Sequence, residues 1–538
     1  MRAAREHLSE NFVLRILLMF ACLSASVSSA AEAPERVHFT IDARENLHPI
    51  SPFIYGVNQP LEGALLHATL RRIGGNRFSA YNWLNNASNA GSDYHYENDG
   101  ILKGDDEPGG ALVEGIDNAS AANAGLIVTI PMIGRVAADK KGDGDVRASG
   151  PDYLQTRFRV EMPAKGKPFT LRPDPNGPIV YQDEFVNWVR WKCPYLLTDP
   201  RRPVFFSLDN EPDLWQTTHA EAHPQHVTYA EVVAKGIDYA QAVKQVLPNA
   251  KVFGPVNYGW NGFATLQDAP DGNHRDFQEF YLGQMAAAEK TSGRRLLDVM
   301  DVHWYPEATG DNGVRITDAD SSPQTVAARV QAPRSLWDPT YTEKSWITQF
   351  STKGPIALLP RLYGKISHHY PNTPLAITEY YYGGGKDISG AIAESQVLGI
   401  FGAHGLFAAC EWPYGGYQPF INAAFQMYRD FDGKAGEFGD VSISAGSDAV
   451  EATSSYASLH HDHPMWMTIL AINKTDHALA ADFTVKHAPG YTEVAIYRLT
   501  AATPAPVFSG VMQITTPGEF KYKMPAMSVT TLRLSKRQ

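Results

Sequence analysis

The sequence predicts an α/β protein built on a TIM-like (β/α)8 barrel, with an additional antiparallel β-sandwich domain. Three observations predict it. From about residue 51 to residue 435, short apolar runs alternate with stretches of helical spacing, the pattern of repeated βα units. Eight such runs are present, the number that closes a parallel barrel. Beyond about residue 436 the runs become short, β-branched or aromatic and bounded by turn residues, as in antiparallel sheets.

Taken in order, residues 1–30 read as a secretory signal peptide: Arg2, Arg5 and Arg15 precede the apolar run Ile16 to Leu23, and Ser28-Ser29-Ala30 supplies small residues for cleavage. That run is too short to span a bilayer stably, so the expectation is an exported protein, secreted or periplasmic, with no membrane partner after cleavage. In residues 31–50 the alternating stretch Val37 to Asp42 is expected to add a strand to the sandwich. The barrel follows over 51–435. Its strands are expected at Phe53–Val57, Arg72–Asn76, Leu126–Ile130, Val204–Leu208, Val252–Pro255, Val299–His303, Leu375–Thr378 and Leu406–Ala409. Between them, Gln182 to Val189 and Tyr229 to Val233 place apolar residues at helical spacing. Two inserts, Tyr81 to Gly110 and Thr309 to Trp346, exceed ordinary loop lengths and are expected to wall a cleft. The sandwich occupies 436–538, with strands at Trp466–Ile472, Tyr491–Leu499 and Met527–Leu534. No internal repeat and no linker to a docking module is seen.

A net charge of −11 over 538 residues argues against a nucleic-acid partner and is neutral toward an uncharged polysaccharide. Of three cysteines, Cys22 lies in the leader, and Cys193 and Cys410 are too few for a disulfide framework. Both are expected as free, buried thiols.

The chemistry points to two carboxylates. Glu211, in Leu208-Asp209-Asn210-Glu211-Pro212, follows the fourth strand, and Glu379, in Ile377-Thr378-Glu379-Tyr380, follows the seventh. These strands lie across the barrel mouth from one another, on the edge where barrel active sites form. A facing acid pair is how enzymes cleave a glycosidic bond, so the chain reads as a glycosidase. Glu379 is expected to attack as nucleophile, with Arg77 after the second strand holding it ionised. Glu211 is expected to serve as acid and then base, its protonation favoured by a drier setting and by the neighbouring carboxylate.

Around them, Asn210 is placed to bond a sugar 2-hydroxyl, and His303 and Tyr305, in Asp301-Val302-His303-Trp304-Tyr305-Pro306, to orient Glu379 or touch the sugar. Trp83, Trp337, Trp346 and Trp412 fall on edge loops, where aromatic faces stack on pyranose rings. Glu411, after the eighth strand, is a rival acid, ranked below the pair because the eighth strand neighbours the seventh. Asp139, Asp143 and Asp145, in a glycine-rich loop without EF-hand spacing, are candidate ligands for a structural calcium. No cofactor is required for the chemistry.

With these residues laid out, the chain resembles glycoside hydrolase family 44, the endo-acting β-1,4-glucanases. The blocks that carry the resemblance include Arg72-Ile73-Gly74-Gly75-Asn76-Arg77, Asn85-Asn86-Ala87-Ser88-Asn89-Ala90-Gly91-Ser92-Asp93, Leu208 to Pro212, Asp301 to Ala308, Ala332 to Tyr341, and Ile377 to Tyr380 leading to Asp387-Ile388-Ser389-Gly390. It implies retaining chemistry with Glu211 as acid/base and Glu379 as nucleophile, a β-1,4-linked glucan, cellulose-type or xyloglucan, as substrate, and a structural divalent ion in some members; Asn76 and Arg77, after the second strand, are also expected to contact substrate. Cys410-Glu411-Trp412 departs from the Asn-Tyr-Trp of that family's strand end, so the adjoining subsite is expected to differ in shape. The alternatives are a hemicellulase of the same barrel class acting on xylan or mannan, and a non-catalytic carbohydrate-binding scaffold.

Overall fold

A computed structural model describes residues 35–58, 68–101, 105–414 and 416–536. The expected leader at 1–30 lies outside the described residues. Eight parallel strands close a barrel: β1 (Gly56–Asn58), β2 (Leu70–Ile73), β3 (Gly125–Ile130), β4 (Val204–Leu208), β5 (Val252–Asn257), β6 (Val299–Trp304), β7 (Leu375–Tyr380) and β8 (Ala408–Glu411). Every expected run supplies a strand. β3, β5, β6 and β7 are buried at every position, because one face fills the barrel and the other meets the helices, and so they read as continuous apolar runs.

The second strand differs from expectation: it runs Leu70–Ile73 and has ended before Asn76. Gly75, at φ +93°, breaks the extended backbone, and Asn76–Ser79 turns helical. This shift decides which arginine enters the barrel.

The lower interior is a plug of Leu70, Ile127, Phe205, Phe253, Val299, Ala376, Ala408 and Cys410, closed by Phe53 and Phe407. Each large side chain so buried contributes about 1.5–3 kcal/mol. Arg72 lies two residues beyond Leu70 on the same strand face, so it sits one layer above this plug. Outside the barrel, helices Gln182–Lys192 and Tyr229–Val246 form where the spacing predicts them. The second is capped by the Thr228 hydroxyl, which accepts from the Glu231 backbone N–H at 3.0 Å.

The C-terminal part is a ten-stranded sheet folded over one core. It is not purely antiparallel: Arg36–Asp42 pairs antiparallel with Val441–Ser447 but parallel with Leu479–Lys486. Phe39 stacks on Phe483, and Phe483 on Phe520, with ring centroids 4.7 and 4.6 Å apart. This sheet also docks on the barrel, since Leu470, Ile472, Leu499 and Val529 join the core around the barrel helices.

Candidate active site

The turn after β4 carries Glu211 in a left-handed backbone conformation, φ +47°, two residues after Asp209 at φ +63°. Such conformations cost on the order of 1–3 kcal/mol outside glycine and persist only where surroundings impose them. Here the buried Asp209 carboxylate imposes them, accepting from Ser79 Oγ, Met132 N and Asn210 N at 2.5, 2.5 and 2.7 Å. The Glu211 N–H is tied in turn to the Val256 carbonyl at 3.1 Å. Glu379 is the fifth residue of β7, and the strand register sets it beside His303 on β6. The register shifts between Val302 and His303, an irregularity of the kind that re-aims side chains at barrel rims.

The two acids therefore converge. One oxygen of each, together with a ring nitrogen of His303, lies within 4.8 Å of the others. Glu379 is held from two sides: Arg72 Nη1 donates to Oε1 at 2.6 Å and Tyr305 Oη donates to Oε2 at 2.8 Å. Arg72 is itself fixed by Asn58 Oδ1 at 3.0 Å and Asn210 Oδ1 at 2.8 Å. Among the described residues Glu211 has no Arg or Lys in contact, only His303. Burial pushes its carboxyl up to about 7, opposed by the Arg72 charge and reinforced by Asp93.

His303 Nδ1 lies 2.8 Å from Glu211 Oε1 and 3.5 Å from Glu379 Oε2, while its Nε2 is buried with no partner. Burial holds the imidazole down at about 3, so it is neutral. A neutral ring bears one N–H, and placing it on Nδ1 leaves only a bare lone pair unsatisfied. Glu211 Oε1 then accepts that hydrogen and Oε2 remains for an acidic proton. Below them, buried Asp301 accepts from Thr378 Oγ1 at 2.8 Å and is raised to about 7 by burial.

A cleft of about 580 Å³ opens over the pair. Of the residues singled out from sequence, Asn76, Arg77, Asn210, Tyr305, Trp346 and Trp412 line it with the two acids, and His303 lies beneath. The first long insert contributes Asp93 to the walls, and the second contributes Arg315 and Thr317.

Other expectations need correction. Arg77 does not pair with Glu379; its guanidinium binds Asp99, and Arg72 takes the expected place. Trp83 is fully buried, its Nε1 donating to the Tyr181 carbonyl at 3.2 Å, and it offers no face to a sugar. Trp337 packs against the main core and His404, away from the cleft. Glu411 is the last residue of β8, fully buried and bonded to Gln418 Nε2 at 2.7 Å. Asp139 and Asp143 are both engaged by Arg157, and Asp145 by Arg147, so their oxygens already neutralise cations and do not fit a calcium cage. Cys193 and Cys410, by contrast, are free and buried as expected.

Sequence reading missed Arg72, Asn58, Tyr258, Trp260 and Asp93. Two arginines inside an otherwise apolar strand were the available signal for Arg72; Asn58 ends β1 and meets Arg72 only once the barrel closes, and only folding brings Asp93, Tyr258 and Trp260 to the cleft.

A parallel barrel whose strand ends bring two carboxylates together, one clamped by arginine and one left undercharged, is the machinery of a barrel glycoside hydrolase, and such a pair needs no cofactor. Endoglucanase A of Paenibacillus lautus is 39% identical over 527 residues, spanning 95% of this chain and 74% of that protein. The profile of glycoside hydrolase family 44 matches residues 87–308, and the chain belongs to that family. Among solved structures, the family 44 xyloglucanase of Paenibacillus polymyxa, determined with xyloglucan, superposes with a TM-score of 0.88 at 38% identity, over 94% of this chain and 100% of that one. The Cel44A endoglucanase of Clostridium thermocellum gives 0.87 at 38% identity, over 93% and 100%.

Proposed function

We propose that this chain is an exported, retaining, endo-acting hydrolase of β-1,4-linked glucans, with Glu379 as nucleophile and Glu211 as acid/base. The observation that carries this reading is the approach of the two carboxylates, with oxygens inside 4.8 Å. Retaining enzymes hold their carboxyl groups about 5–5.5 Å apart, whereas inverting ones leave about 6.5–9.5 Å for a water. The cleft takes residues from the ends of six strands, among them Asn76, Asn210, Tyr258, Tyr305, Tyr381 and Trp412, which suits a chain laid across the barrel mouth. Relatives bearing the names endoglucanase and xyloglucanase favour a glucan backbone. Among the described residues no helix is long and apolar enough to cross a membrane, and export rests on the leader at 1–30.

In the first step a Glu379 oxygen attacks the anomeric carbon while Glu211 gives its proton to the departing glycosidic oxygen. Arg72 and Tyr305 hold Glu379 aimed through their two hydrogen bonds. The glycosyl-enzyme removes the Glu379 charge, so Glu211 now ionises readily and takes a proton from water as that water attacks the same carbon. Glu379 leaves as carboxylate, and configuration is retained.

The test is Glu379→Gly with added azide, assayed on carboxymethyl-cellulose, xyloglucan, mixed-linkage glucan, xylan and glucomannan alongside wild type. Azide should restore turnover on the preferred glucan and yield a glycosyl azide of inverted configuration. An α-configured first product from wild type would overturn the mechanism, and preference for xylan or mannan would overturn the substrate.

A further inference from the structure

Trp260 belongs to two hollows. It lines the catalytic cleft and also a second groove of about 360 Å³, formed with residues around the start of helix Phe277–Ser292 and along helix Leu358–His369. The floor of this second groove is polar. Lys365 Nζ donates to Asp276 Oδ2 at 2.7 Å and to Gln278 Oε1 at 3.1 Å. Gln278 is fully buried, yet its Nε2 has no hydrogen-bond partner among the described residues. An orphaned buried amide is costly unless something accepts its hydrogens. Around that floor stand an aromatic wall, Trp260, and the exposed donors Arg361 and His368.

A planar amide, a carboxylate, cationic donors and an indole face are the set that recognises a neutral sugar, whose hydroxyls both donate and accept and whose C–H face is apolar. The charges nearly balance, so no strongly ionic ligand is selected. We propose that the groove behind Trp260 is a secondary glycosyl-binding site that takes a pyranose of the same polysaccharide whose backbone lies in the cleft. This rests on the proposed glucanase reading. A branch residue and an outlying residue of the unbranched chain share that chemistry, and the experiment separates them.

Gly364 provides the means. It lies on the groove wall, and a Cβ built there meets nothing within 4 Å, so a large side chain can fill the groove without disturbing the fold. Gly364→Trp is compared with wild type on xyloglucan, on unbranched carboxymethyl-cellulose and on a short chromogenic cello-oligosaccharide, with thermal melting as the folding control. The site predicts a KM raised about fivefold on polymer with kcat on the short substrate unchanged. An effect confined to xyloglucan assigns a branch residue; an equal effect on both polymers assigns the backbone. Gln278→Leu, which removes the orphaned amide at similar volume, should give the same direction. Unchanged KM on both polymers in both folded variants overturns the site. If wild type hydrolyses none of these glucans, the proposed activity itself falls, and this inference with it.

Discussion

Arg72 and Glu379 form an ion pair of 2.6 Å inside the barrel, with the arginine side chain wholly shielded from solvent. The same guanidinium reaches Asn210 at 2.8 Å, one residue before Glu211. A single fork thus ties the strand that carries Glu379 to the turn that carries Glu211. Lysine cannot reproduce it, being a point charge with no planar pair of donors. Arg72→Lys should fold and lose about a hundredfold in kcat. Arg72→Met leaves a buried carboxylate without its counter-ion and should cost about 3–5 kcal/mol of stability, read by denaturant unfolding. Arg77→Met, which breaks only the pair with Asp99, should stay within about threefold of wild-type kcat. A large loss there and none at Arg72 would reverse the assignment.

The pH dependence follows from Glu211. Its carboxyl ordinarily titrates near 4.5 and is raised to about 7 by burial. The groups facing it are Arg72, which opposes the rise, Asp93, which adds to it, neutral His303 and the Glu379 carboxylate. In its proposed role as general acid it must be protonated, so kcat/KM should fall along a basic limb with apparent pKa near 7. Asp93→Asn removes a negative charge and should move that limb to lower pH. The stability sign runs the same way: the native state holds the proton more tightly than the unfolded chain, so this contribution is complete below pH 4.5 and lost as pH rises through about 7. A Glu211→Gln variant should therefore gain stability over wild type above neutrality while losing turnover by about a thousandfold or more. A basic limb unmoved by Asp93→Asn would remove that residue from the account.

Gly75 bears on substrate binding through Trp412. A Cβ at position 75 would lie 2.8 Å from Trp412 Cη2, and the backbone there is at φ +93°. Alanine would meet both a steric conflict and a disfavoured conformation. Gly75→Ala should displace the indole from the cleft wall and raise KM by about tenfold with a smaller change in kcat, measured on the preferred polymer. An unchanged KM would mean that Trp412 carries no sugar contact.

The barrel was legible because parallel strands are buried on both faces, so that Leu126 to Ile130 or Val299 to His303 stand out as unbroken apolar runs. The acid pair was legible for a related reason: Glu211 and Glu379 follow such runs directly. Side-chain partners were not. Whether Arg72 or Arg77 meets Glu379 depends on where the strand ends, and with glycines at 74 and 75 it ends at Ile73, before the expected boundary at Asn76. Trp83 and Trp346 look alike in sequence as loop tryptophans. Only the folded insert shows one beneath Tyr181 and the other on the cleft. Likewise Asp139 and Asp143 resemble cation ligands until Arg157, brought over by the sheet that follows β3, takes up their charge.

Glu411 separates a carboxylate at the right edge from one with a catalytic environment. It adjoins Trp412 on β8, but its side chain faces Gln418 and neighbours Glu394, which in turn accepts from Tyr380 Oη at 2.7 Å. Burial and the proximity of Glu394 push Glu411 far above the carboxylate range, and Glu394 itself to about 8. Burial thus favours the protonated form of Glu411, a hydrogen-bonding group that glutamine copies in shape. Glu411→Gln should keep kcat within about threefold, because no charge is lost where none is used. Since its native affinity for a proton is raised, the wild-type contribution to stability is lost as pH climbs, and the amide, which cannot ionise, escapes that loss. The melting temperature of the variant should therefore rise relative to that of wild type as pH is raised. A hundredfold fall in kcat in the folded variant would instead make Glu411 part of the catalytic machinery.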